Sequence, residues 1–77
     1  IIGATIEDLD IVDLREYISK TANQNIIDVF QNLECGSNNH LRSFVKELNR
    51  EGGTYSPQFL TQAEYDIIIN GTNGPCN

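Results

Sequence analysis

The stretch LECGSNNHLRSF, residues 33–44, decides how this chain is read, because it sets small polar residues inside an apolar helical repeat. At about 100° per residue, Phe30, Ser37, Leu41 and Phe44 fall within roughly 40° of one direction, so Ser37 stands in the middle of the stripe. His40, the chain's one histidine, lies at its edge beside Leu33, and Glu34 flanks the other side. Cys35 and Asn39 point away, while Gly36 and Ser37 are small enough to admit another helix. A histidine at the border of an apolar stripe is ordinarily hydrogen-bonded to a core neighbour or half exposed. The sharper alternative is a ligand site inside a helical bundle, where carboxylates and imidazoles project inward.

Working outward, Ile26, Phe30, Leu33, Leu41, Phe44 and Leu48 predict a long helix over residues 26–50, with Asn23 or Asn25 as its N-cap. GGTYSPQF, residues 52–59, ends it: the glycines allow a C-terminal turn and Pro57 an extended segment. Upstream, residues 1–19 read as a helix on Ile2, Ile6, Leu9, Leu14, Tyr17 and Ile18, with a bend expected where Asp10 could cap a second piece. The polar KTANQN, residues 20–25, is short enough to fold the two helices into an antiparallel hairpin. Thr61 and Glu64 have capping-box spacing, and Leu60 with Tyr65 matches a hydrophobic staple, which predicts a third helix to about Ile69. NGTNGPCN, residues 70–77, reads as a flexible tail. The expected organisation is one all-α domain over residues 1–70 followed by a tail over residues 71–77.

Composition narrows the function. Seventy-seven residues allow one small domain, and a chain of this size buries only about 60% of its unfolded surface. With Ile1 leading and no methionine anywhere, the expectation is a piece of a larger fold. A formal net charge of −6 disfavours nucleic acid, which requires clustered Lys and Arg, and disfavours anionic membranes. No apolar run approaches the roughly 20 residues of a membrane span. Cys35 and Cys76 are too few for a disulfide framework and lack a zinc spacing, though a tail folding back would let them pair. Asn70-Gly71-Thr72 matches a glycan-acceptor triplet. Arg42, Lys46 and Arg50 form a basic row whose ordinary reading is a solvated face. The Ser37/His40 pair lacks a nucleophile elbow, and EGGTY lacks the lysine of a phosphate loop, so neither hydrolase nor nucleotide chemistry is supported.

Inward-facing metal sites of bundles use Glu from two helices and Glu-x-x-His from two others, since side chains at i and i+3 converge. Here the spacing is Ser37-x-x-His40. Glu7 and Asp10 are the acidic candidates on the first helix, although capping explains Asp10 and solvation explains Glu7. The segments GATIEDLDIVDL, NLECGSNNHLRSFVKEL and GGTYSPQFLTQAEYDIII together resemble the C-terminal half of a ferritin-like family of unknown function from bacteria and archaea. The similarity spans nearly the whole chain except its tail. It implies half of a ferritin-like four-helix bundle, completed by a missing N-terminal half or by a second copy in a homodimer. It also implies Glu7 as the third-helix carboxylate and His40 as the fourth-helix histidine, with Ser37 where a bridging Glu would stand. Metal ligands would then be Glu7 and His40, with Asp10, Ser37 and Glu34 as further candidates, holding iron or another divalent ion. The competing expectation is a non-catalytic helical structural or interaction module with a vestigial site, suited by the glycan triplet to an extracellular or cell-surface protein. An enzyme would further need an open coordination position and a redox-active ion, and neither is legible.

Overall fold

Three helices, α1 (Ile2–Lys20), α2 (Gln24–Arg50) and α3 (Gln62–Ile69), follow one another in a computed structural model that describes residues 2–76. The fold is all-α among the described residues. α1 is continuous through Asp10, so the expected bend and cap there are absent. No glycine or proline interrupts it beyond Gly3, and straight-chain helix formers outnumber β-branched residues in its second half. After Lys20 the chain turns within three residues. Asn23 Oδ1 then accepts the N–H groups of Asn25 (3.0 Å) and Ile26 (3.3 Å), starting α2. α1 and α2 run antiparallel, because partners descend along α2 as α1 ascends. Phe44 covers Gly3, His40 meets Glu7, Glu34 meets Arg15, and Phe30 lies 5.8 Å from Tyr17 between ring centroids. An alanine Cβ at position 3 would stand 2.8 Å from the Phe44 ring, so Gly3 makes room for that side chain, whereas Gly36 has nothing packed on it.

α2 stops at a double hydrogen bond typical of glycine caps: Gly52 N–H donates to Asn49 O and Gly53 N–H to Leu48 O. Gly52 has φ +87°, a conformation that side-chain-bearing residues adopt only with strain. An extended connector then carries Tyr55 to α3. There the expected capping box is present in both halves, Thr61 Oγ1 accepting Glu64 N–H and Glu64 Oε1 accepting Thr61 N–H. Leu60 and Tyr65, the expected staple, are both buried.

The core comprises Ala4, Ile11, Leu41, Val45, Leu60, Tyr65 and Ile68. This corrects the sequence phasing of α1, whereas on α2 the expected centre at Ser37 and Leu41 is indeed buried. α1 turns Ala4, Asp8 and Ile11 inward and leaves Ile2, Ile6, Leu9 and Tyr17 exposed. On α2, Ser37, Leu41 and Val45 are buried while Ile26, Leu33 and Phe44 remain largely open. The expected stripe of α1 is therefore mostly uncovered and that of α2 about half covered, and the interior is built on the flank where α3 and its connector pack. No described helix is long and apolar enough to cross a membrane.

The tail has neither helix nor strand, yet it is anchored rather than free. Cys76 is disulfide-bonded to Cys35, Asn39 Nδ2 donates to Gly74 O (2.8 Å), and Arg42 reaches Ile68 O and Asn73 Oδ1. Residue 77 lies outside the described residues.

Candidate functional site

Glu7, Asp10, Ser37 and His40 line one groove of about 520 Å³ on the open face of the hairpin, among Tyr17, Phe30 and Leu33. Antiparallel pairing of α1 with α2 brings His40 Nδ1 to 3.2 Å from Glu7 Oε2. Glu7 is largely sheltered, with 14% of its side chain exposed, whereas the imidazole is 67% exposed. In the neutral tautomer with its proton on Nδ1, the ring donates to this carboxylate and Nε2 carries a free electron pair. Nε2 has no partner among the described residues. Ser37 is buried at the centre of the helix face, as the spacing required.

The other expected ligands do not all converge. Glu34 lies outside this groove and pairs with Arg15 at 3.3 Å, so it is spent on a contact between α1 and α2. Asp10 lines the groove but is exposed. Among the described residues no three His, Cys, Asp or Glu side chains are grouped so as to hold a metal ion. The chain thus offers a donor pair, a carboxylate oxygen and an imidazole nitrogen, and the pair suits iron, manganese or zinc only if further donors come from elsewhere.

The residue that sequence reasoning missed is Asp8. It is fully buried, and its carboxylate gathers the connector before α3. Oδ2 accepts from Tyr55 Oη (2.6 Å), Gln58 N–H (2.7 Å) and Phe59 N–H (3.3 Å), and Oδ1 from Leu60 N–H (2.7 Å). Burial pushes the Asp8 carboxyl upward, but the Tyr55 hydroxyl and the three backbone donors outweigh it and hold the group below the ordinary aspartate range. Burial, and then the bond to Asp8, push the Tyr55 hydroxyl up to about 12, so it remains a donor at neutral pH. Consecutive N–H groups at 58–60 need acceptors that the connector itself lacks, and an acid at helical spacing between Ala4 and Ile11 was the available signal.

The profile of an uncharacterized protein domain, DUF2202, matches residues 1–72. The chain is 51% identical over 71 residues to an uncharacterized protein, MJ0754, of Methanocaldococcus jannaschii, covering 92% of this chain and 38% of that protein. The crystal structure of the hypothetical protein MJ0754 superposes with a TM-score of 0.92 at 49% identity, over 95% of this chain and 42% of that one. The chain therefore spans about two-fifths of the relative it matches. These matches correct the ferritin-like family expected from the same segments: the family found is uncharacterized and is not described as ferritin-like. The chain therefore belongs to the uncharacterized protein domain family DUF2202.

Proposed function

We propose that this chain contributes Glu7 and His40 to a divalent-metal site, iron being one candidate, that is completed by donors from helices covering its open face. The observation that carries this reading is the 3.2 Å Glu7–His40 contact between two helices, set in a groove with apolar walls. His40 offers Nε2 as ligand. Glu7 orients the ring through Oε2 and has Oε1 left for an ion. Such ions take about four or more ligands, so two donors leave the site incomplete. The balance would come from the remainder of a longer protein, given that the chain spans 38–42% of its relative, or from a second copy pairing its hairpin into a four-helix bundle. The exposed Ile6, Leu9, Val29 and Leu33 supply the apolar surface that either arrangement would bury.

A second reading, a non-catalytic helical structural or interaction module, is favoured by the lack of a third donor among the described residues and by Ser37 at the centre of the face. The Cys35–Cys76 bond supports an oxidising setting such as a cell surface for that module.

Elemental analysis of the protein purified without chelators separates the two. The metal reading expects stoichiometric metal, abolished in His40→Ala and bound about 10–100-fold more weakly in Glu7→Gln. Metal absent from the unaltered protein, or retained in His40→Ala, refutes it and leaves the module.

A further inference from the structure

Eleven acidic and five basic side chains make this an acidic chain, so every cation should find a carboxylate readily. Three do: Arg15 pairs with Glu34 and Glu64, Lys20 with Glu16, and Arg50 with Glu47. Arg42 and Lys46 have no carboxylate partner among the described residues. These two stand one turn apart on α2 and line the same cavity, about 530 Å³ between α2 and the tail, with no Asp or Glu in its walls.

Arg42 is half-buried, and among the described residues its guanidinium meets only neutral oxygens: Ile68 O at 2.6 Å, Asn39 Oδ1 at 3.0 Å and Asn73 Oδ1 at 3.4 Å. A charge withdrawn from water ordinarily has a counter-charge. The carbonyl end of α3 supplies the equivalent of roughly half a negative charge, which offsets part of Arg42 and none of Lys46. The cavity also presents the hydroxyls of Ser43 and Thr72 and rests on Val45 and Ile69. A Cβ at Gly71 would stand 2.8 Å from Arg42 Nη2, so the guanidinium would have to shift to admit one.

We infer that this cavity binds an oxyanion of the phosphate class, held by Arg42 and Lys46 with hydroxyl donors from Ser43 and Thr72. Arg42 Nη2, the guanidinium nitrogen not given to those oxygens, and the Lys46 ammonium are charged donors of the kind that bind phosphate oxygens, and the lining residues include no Asp or Glu to repel them. The site shares no residue with the Glu7–His40 groove and is independent of the metal reading.

The test is an amide NMR titration of the disulfide-intact chain with inorganic phosphate at low ionic strength, in which surface repulsion from the net charge is matched by two single-charge variants. Saturable shifts confined to Ser43, Lys46, Gly71 and Thr72 are expected, with binding about tenfold weaker in Lys46→Gln and unchanged in Lys20→Gln, since one charge-assisted bond is lost only in the first. Lys46 and Lys20 are both exposed, so each variant should fold as the parent does. Absence of saturation, or equal weakening in the two variants, overturns the inference, because binding would then follow net charge rather than this cavity.

Discussion

Replacing Asp8 by Asn changes one oxygen to an amide nitrogen and tests whether a buried carboxylate holds the connector and α3 onto the hairpin. In the parent, one fully buried carboxylate accepts four hydrogen bonds, from Tyr55, Gln58, Phe59 and Leu60. An amide oxygen in the Oδ2 position keeps up to three of these as neutral bonds, each weaker by about 1 kcal/mol than its charged counterpart. The amide nitrogen would face Leu60 N–H, donor against donor, leaving a buried group unsatisfied at about 1–3 kcal/mol. Against this, the variant no longer pays several kcal/mol to desolvate a charge. The balance expected is a loss of about 3 kcal/mol, large beside the roughly 4–12 kcal/mol total of a chain this size. Urea unfolding followed by circular dichroism measures it, with Tyr55→Phe completing a double-mutant cycle whose coupling should be about 1–2 kcal/mol. The pH dependence supplies an independent check. Because the folded-state pKa lies below the ordinary value of 3.8, the carboxylate's contribution is present above that value. It is lost as pH falls from 3.8 through the lower folded value, and Asp8→Asn should lack that segment of the profile. A variant within about 0.5 kcal/mol of the parent, with the same acid profile, would refute the clamp.

Reduction of Cys35–Cys76, or Cys76→Ser, should cost up to about 4 kcal/mol from the entropy of a closed loop, read as a lower urea midpoint once a dithiol is added; a midpoint indifferent to the dithiol would contradict this. Gly52→Ala should cost about 1–2 kcal/mol, because φ +87° at the end of α2 strains any side chain, and thermal unfolding would detect it; an unchanged midpoint would mean the cap rearranges freely.

Local chemistry was legible where a few neighbouring residues settle it. A cap at Asn23 or Asn25, a stop at the glycines 52–53 and the Thr61/Glu64 box each act within one turn of chain, so spacing carries that information, and the structure then selects Asn23 and Gly52. The face of α1 was not legible. Apolar residues occur on most of its sides, and Ile2, Ile6 and Leu9 make the bulkier stripe, so periodicity favoured the face that the structure leaves open. The interior instead selected the side where Ala4 is small enough for close packing and where Asp8 meets donors about fifty positions away. Pairing of Glu7 with His40 was expected from resemblance to a family that the matches replaced, and only the register of the hairpin gives it a distance.

By itself the sequence determined three helical segments, the capping of the second and third and the hairpin connection, because those depend on hydrogen bonds closed within a turn or two of the chain. Tertiary structure alone decided which faces meet, that Cys35 and Cys76 join, that Asp8 clamps the connector, and that Arg42 and Lys46 have no carboxylate partner among the described residues. Each of those joins or separates groups distant in sequence, and their free energy depends on packing and burial that exist only once the chain has folded.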